Sequence, residues 1–214
     1  MGIKFTNAAG SAKRRQIDQY TYKNGSNSVR IFGDLLPRYI YWVKGENDKN
    51  LPMEDLSFSR ETERRDTNEK DWVKVYYPDL QASWSYSIQC IDLQDGNVKV
   101  LNLKKKLMEQ ILQAAKELGD PCDPDAGWEV HFERKKNGPH VYNVEYTLDQ
   151  IKCFKNTKPM TDAQKEAMGA ATPIDELLPR PSEDAQKELL ERITTGAKPE
   201  ENTDDTVDAM FDVS

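Results

Sequence analysis

A mainly β fold, with one long helix set among a handful of strands, is what this sequence predicts. Three stretches predict it. Trp84 to Gly119 (WSYSIQCIDLQDGNVKVLNLKKKLMEQILQAAKELG) reads as strand, tight turn, strand and helix. Gly127 to Leu148 (GWEVHFERKKNGPHVYNVEYTL) reads as a second hairpin. Ser28 to Val43 (SVRIFGDLLPRYIYWV) reads as two short strands interrupted at Gly33-Asp34 and Pro37.

The first stretch is the most legible. Trp84, Tyr86, Ile88, Cys90 and Asp92 alternate with Ser85, Ser87, Gln89, Ile91 and Leu93, the period of a strand. Gln94-Asp95-Gly96-Asn97 then supplies a hairpin turn, because Gly accepts positive φ without a steric cost. Val98 to Leu103 returns. A helix follows with Leu107, Ile111, Leu112, Ala115 and Leu118 on one face, and Gly119 and Pro121 stop it. Lys104, Lys105 and Lys106 occupy its first turn, where the positive end of the macrodipole disfavours cations by ~0.3–1 kcal/mol each. Beside free backbone N–H groups they form a place for phosphate; the plainer reading is a solvated patch.

In Ser28 to Val43, Arg30 and Phe32 oppose Val29 and Ile31, while Arg38, Ile40 and Trp42 oppose Tyr39, Tyr41 and Val43. One face is expected in the core and the other as an aromatic surface holding arginine. Lys44 to Asp71 is a long charged insertion containing Arg60, Arg64 and Arg65, expected to be either functional or a solvated loop. Asp71 to Tyr77 (DWVKVYY) alternates Trp72, Lys74 and Tyr76 with Val73, Val75 and Tyr77, and is read as a strand. A Trp-Lys-Tyr face suits bases on rings and phosphate on an ammonium better than it suits a core. Asp120 to Asp125 (DPCDPD) lacks a calcium-loop pattern and reads as a rigid connector. In the second hairpin Trp128, Val130, Phe132 and Arg134 alternate with Glu129, His131 and Glu133, and Lys135-Lys136-Asn137-Gly138-Pro139 makes a basic turn. His140 and Tyr142 flank that turn and are candidates for backbone phosphate and base; His131 reads as an ordinary strand residue. Strands and a helix in this order, with the helix after the third of five strands, fit a small Greek-key barrel, the five-stranded OB-fold.

After the strands the chain turns helical. Thr161-Asp162-Ala163-Gln164 is a capping box, Thr172-Pro173 restarts a turn, and Ser182 caps a helix with Leu189, Leu190 and Ile193 as its stripe. These helices are expected to pack weakly. Glu200 to Ser214 holds six acids, no base, and Val207, Met210, Phe211 and Val213: an acidic tail with a small apolar hook, expected to be disordered. The net charge of −7 hides an asymmetry, since Thr161 to Ser214 carries 14 acidic and 5 basic residues and the remaining 160 residues carry 23 and 25. The expected organisation is a basic N-terminal arm (1–27, with Lys13-Arg14-Arg15), a β domain (28–158), a helical segment (159–196) and an acidic tail (197–214).

Three cysteines, Cys90, Cys122 and Cys153, form no CxxC pair, which argues against a disulfide framework and a structural zinc site. No apolar run is long enough to span a bilayer, and the N-terminus has no apolar signal core. The two histidines lie in unrelated contexts, with no phosphate-cradling glycine loop and no nucleophile elbow, so no catalytic constellation is expected and no metal or cofactor.

The run SWSYSIQCIDLQDGNVKVLNLKKKLMEQI followed by DAGWEVHFERKKNGPHVYNVEYTL resembles the single-stranded-DNA-binding (helix-destabilising) proteins of tailed bacteriophages. The resemblance covers Val29 to Leu148, with the basic arm and the acidic tail alike by composition. One departure is the lack of a Cys/His zinc module that some members insert; Lys44 to Asp71 stands in its place. The resemblance implies a protein that coats single-stranded DNA during phage replication, recombination and repair in the cytoplasm of a bacterial host. It implies self-association on DNA, and a tail (Asp204, Asp205, Asp208, Met210, Phe211, Asp212) that docks on replication proteins such as a polymerase or helicase/primase. With the residue faces above, the expected stacking rings are Tyr41, Trp42, Trp72, Tyr76, Trp84, Tyr86 and Tyr142. The expected phosphate contacts are Arg30, Arg38, Lys74, Lys104, Lys105, Lys106, Arg134, Lys135, Lys136 and His140. Fewer than half of the rings are expected on DNA, since a barrel needs large residues inside. The competing reading is a replication adaptor that uses its acidic tail without binding DNA.

Overall fold

The fold comes from a computed structural model that describes residues 17–45, 49–140 and 143–195. The basic triplet at 13–15, Tyr142 and the acidic tail lie outside the described residues. In place of five strands, the described residues form eight, in two antiparallel sheets. The larger has the order β6-β5-β1-β7-β8, formed by Val98–Asn102, Ser87–Asp92, Gly25–Leu36, Val130–Lys136 and Val144–Leu148. The smaller has the order β3-β2-β4, formed by Asn50–Glu54, Tyr39–Lys44 and Ser83–Trp84.

β1 is the spine of the large sheet. It does not break at Gly33; it bends there, with φ of +72° at Gly33 and a register shift against β5 between Phe32 and Leu36. Only glycine takes that φ cheaply, which is how one strand pairs with both β5 and β7 and still curves. The chain breaks instead at Pro37, and β2 begins the second sheet. The strand expected to start at Trp84 is divided in the same way: Trp84 pairs with Tyr39 in the small sheet, whereas Ser87 onward pairs with β1. The Asp-Gly hairpin forms as read, with φ of +75° at Gly96 between β5 and β6.

Among the described residues no ladder joins β6 to β8, so the large sheet is not closed into a barrel. Both of its edges are covered instead. Along β6, Tyr20 N–H donates to the Val100 carbonyl and Val100 N–H donates to the Asp18 carbonyl. Along β8, helix α2 (Lys105–Leu118) lays the Gln110 amide against the strand: its Nε2 donates to the Tyr146 carbonyl at 3.0 Å and its Oε1 accepts from Leu148 N–H at 2.7 Å. One side chain thus plays the part of a neighbouring strand. α2 turns Leu107, Ile111 and Ala114 into the core with Val29, Ile31, Leu101, Trp128 and Phe132, while Leu112 is exposed. The buried stripe is therefore shifted from the expected one.

Asp71 to Tyr77 is not a strand. Residues Trp72–Tyr76 form helix α1, because the Asp71 carboxylate accepts from Val73 N–H and caps it. Trp72 and Tyr76 then share a face by helical spacing, with rings 6.5 Å apart. α1 and the last helix α6 (Glu183–Thr195) cover one face of the small sheet, burying Tyr41, Val43 and Met53 against Val73 and Leu190. Helices α3 (Gln150–Lys155), α4 (Asp162–Ala170, with its capping box) and α5 (Ile174–Leu177) follow β8. Ile174 and Leu178 pack on Leu36 and Val100, and Met160 packs on Phe32 and Ile91. This explains why β5 is buried on both faces, and the C-terminal segment is not the loosely held one expected.

Replacing Gln110 with Ala leaves the Tyr146 carbonyl and the buried Leu148 N–H without partners. The variant is expected to lose ~1–3 kcal/mol in urea unfolding, and Leu148 N–H to exchange with solvent much faster than in the parent. Unchanged exchange at Leu148 would show that the helix does not guard that edge.

Candidate nucleic-acid interface

A cleft of about 440 Å³ lies between the two sheets. Its walls follow from strand alternation: Ile40 and Trp42 lie on the face of β2 opposite to Tyr41 and Val43, and Arg38, just before the strand, lines the cleft with them. Pro52 and Glu54 of β3 join them, being register partners of Trp42 and Ile40. Ser83 and Trp84 of β4 line the cleft, and Asn102, Lys104 and Lys105 complete it at the start of α2. Five residues expected at the interface therefore converge here: Arg38, Trp42, Trp84, Lys104 and Lys105.

Their states differ. Trp42 is 42% exposed. Trp84 is half-buried and stacks on Tyr86 at 4.4 Å with 17° between the ring planes; Tyr86 itself is buried and supports Trp84 rather than offering a ring. Lys104 is the N-cap of α2 and makes no side-chain cap, and the first turn holds no acid. Met108 N–H donates to the Lys104 carbonyl, but the first N–H groups of the helix have no side-chain acceptor. Lys104, Lys105 and Lys106 are exposed. Desolvation, then repulsion from Arg134, hold the Lys104 ammonium below its ordinary 10.5. Arg134 pairs in register with Tyr146, whose carbonyl meets Gln110 of α2, so the cations of the cleft mouth continue into β7. Lys135, Lys136 and His140 are exposed further along that hairpin.

Arg38 lies at the bottom of the cleft, 8% exposed. One Nη donates to Ser87 Oγ at 3.1 Å, and its Nε has no hydrogen-bond partner. Burial pushes the guanidinium down to about 10, with Glu54 acting in the opposite direction, so it stays charged at neutral pH. Glu54 is occupied elsewhere: Arg60 donates to both of its oxygens at 2.7 and 2.5 Å, and Arg180 reaches Oε1 at 3.3 Å. Arg180 also donates to Glu69 and to the Leu56 and Phe58 carbonyls. Here three guanidiniums meet two carboxylates, Glu54 and Glu69, and the unmatched cation is Arg38.

Other expected contacts are placed elsewhere. Arg30 is 1% exposed, with an Nη donating to the Asp123 carbonyl at 2.7 Å; in the core it has no surface for phosphate. Tyr41 is buried on the far face of β2, and its hydroxyl donates to Asp71 at 2.8 Å. Lys74 turns inward and donates to the Pro78 and Leu80 carbonyls. Trp72 is covered by Lys70 Nζ at 3.6 Å and Lys187 Nζ at 5.0 Å, and with Tyr76 it packs on the cluster beneath α1. Tyr41, Lys74, Trp72 and Tyr76 thus pack around the small sheet, Arg30 lies within the large one, and none of them lines the cleft. The charged insertion is also structural: its Arg60 and Arg65 answer the buried Glu54 and Asp55. Among the cleft residues that sequence reading passed over are Gln19, Pro52, Glu54, Ser83, Asn102 and Leu178. Only Glu54-Asp55, a carboxylate pair followed by Arg60 and Arg65, left a local signal. Among the described residues no group of His, Cys, Asp and Glu is arranged to hold a metal ion, and no helix is long and apolar enough to cross a membrane.

The Tyr41–Asp71 pair gives a pH test. Burial raises the Asp71 carboxyl, and the Tyr41 hydroxyl lowers it. A carboxyl raised in the fold lowers stability above its folded value, and that penalty disappears as pH falls through it. Tyr41→Phe removes the compensating donor, so it is expected to cost ~1–3 kcal/mol at neutral pH and clearly less in acid, read by urea melts at several pH values. An equal loss at every pH would mean that Asp71 is not held by that hydroxyl.

No protein-family model matches the chain. Over 154 residues it is 28% identical to the "Probable ssDNA-binding protein" of Escherichia phage T5, a match that takes in 65% of this chain and 57% of that protein. The chain thus spans somewhat more than half of the length of the relative it matches. The similarity to phage single-stranded-DNA-binding proteins, first visible in the two hairpin stretches, is borne by this named relative as well.

Proposed function

We propose that this protein binds single-stranded DNA with little sequence preference, along the cleft and the basic track that leaves it. The observation that carries this is the convergence of exposed or half-exposed indoles (Trp42, Trp84) with Arg38, Lys104 and Lys105 in one concave site. Rings offer stacking surface worth ~1–3 kcal/mol per base, and cations follow the backbone without reading it. The name of the T5 relative agrees. Lys106, Arg134, Lys135, Lys136 and His140 extend the path. The strand order of the large sheet, with one helix after its β6 edge and before β7, supports reading it as an open OB-type sheet whose missing closure is filled by α2. The role we assign is coating of DNA in phage replication, recombination and repair, with copies associating along the strand. The acidic tail from Asp204 to Ser214 is proposed as the handle for replication proteins.

Titration with oligo(dT), followed by tryptophan fluorescence across salt concentrations, is expected to show quenching and an affinity that falls steeply as salt rises. Lys104→Ala and Lys105→Ala are expected to weaken binding uniformly and to reduce the log–log salt slope by about one unit each. Because Lys104 gives up its proton below the ordinary 10.5, its share of the slope is expected to be lost before pH reaches that value. An unchanged signal with no mobility shift would overturn the reading.

A further inference from the structure

We infer that the cleft is a pocket for one nucleotide, taken in edge first, with its base directed at Arg38 and its phosphate left at the first turn of α2. The inference rests on the single-stranded-DNA reading and goes beyond a generic stacking groove.

Depth is the first argument. A volume of about 440 Å³ falls within the ~300–1,000 Å³ of small-ligand sites, whereas a backbone-tracking groove needs no such hollow. The walls are apolar and flat in part, from Trp42, Pro52 and Trp84. The bottom is polar and incompletely paired: Arg38 lines it, is more than nine-tenths buried, donates one Nη to Ser87 Oγ, and carries the charge that Glu54 and Glu69 leave unmatched. A buried cation without a carboxylate of its own is costly, and a ligand acceptor would relieve that cost. The carbonyl or ring nitrogen on the edge of a base is such an acceptor.

The mouth supplies the second argument. Lys104 and Lys105 line the same cleft, at a helix start with no side-chain cap and no acid. Anionic oxygens are stabilised there by free N–H groups and the dipole. A phosphodiester must stay at the mouth, since the strand has to enter and leave. The base must then point inward, and its pairing edge meets Arg38. In a duplex that edge is already paired and the second strand blocks the entrance. The pocket therefore selects single strands by geometry, while the track toward Arg134 supplies affinity that is indifferent to sequence.

The test uses the full chain and dTMP, with thymidine and inorganic phosphate as separate probes. Saturable quenching by dTMP is expected, with each half-ligand at least ~10-fold weaker, since base and phosphate contribute at different ends of the site. Ser83→Phe, at an exposed position on β4, fills the cleft without disturbing the core and is expected to abolish dTMP binding. Arg38→Gln should do the same while leaving salt-dependent oligo(dT) binding measurable but weaker. If oligo(dT) binds and dTMP does not, or if both variants bind dTMP as the parent does, the pocket is overturned and the DNA reading stands. If oligo(dT) fails at every salt concentration, the DNA reading falls and the pocket with it.

Discussion

The buried carboxylate of Glu54 is the point on which the placement of the cleft depends. It ends β3, it is 2% exposed, and it is met by Arg60 from the insertion and Arg180 from the C-terminal segment. A lone carboxylate buried to this degree would be strongly disfavoured, so these two arginines are conditions of its presence. In satisfying it they bring together parts of the chain 126 positions apart, and Arg60 also donates to the Leu178 carbonyl, whose side chain packs on Leu36 and Val100 of the large sheet. The cleft is the space that remains between the two sheets. Its residual positive charge follows from the same arrangement, because Arg38 approaches a carboxylate already shared by two other cations.

That constraint also explains the C-terminal segment. Arg180 donates to main-chain carbonyls of Leu56 and Phe58, and the Gln186 side chain bridges Trp72 N–H and the Glu54 carbonyl. Polar groups on α6 and its approach thus finish the hydrogen bonding of an insertion that has little regular structure of its own. Apolar contact at Leu190 adds to this, but the polar links determine where the helix lies. The helices looked weakly attached in sequence because their apolar stripe is short, and the partners of Arg180 and Gln186 are far away in the chain.

What was legible in the sequence was local. The Asp95-Gly96 turn, the Thr161–Gln164 capping box, the Ser182 cap and the alternation of β2 were all readable, since each depends on residues within a few positions. The β2 alternation put Trp42 and Tyr41 on opposite faces, but both rings were expected on DNA; Trp42 lines the cleft and Tyr41 is buried away from it. Asp71 to Tyr77 misled because Trp72 and Tyr76 satisfy a period of two and a helical i,i+4 spacing equally; the deciding feature was the Asp71 cap. The division of one apparent strand between two sheets at Trp84 and Ser87 had no local mark either.

The candidate site was half legible for a related reason. Residue type distinguishes a cation or a ring from other side chains, but not a surface cation from a buried one. Arg30 lies on β1 and Arg38 just before β2, and both are buried, yet they differ in what lies in front of them. Arg30 is packed beneath the connector, where Gly127 leaves no room: a Cβ there would sit 2.9 Å from its Nη2. Arg38 opens onto solvent through the cleft. A buried guanidinium that faces only protein serves the fold, whereas one that lines a cleft is placed to meet a ligand. The difference is tertiary, and it is the reason that the proposed pocket is centred on Arg38 rather than on the more numerous surface lysines.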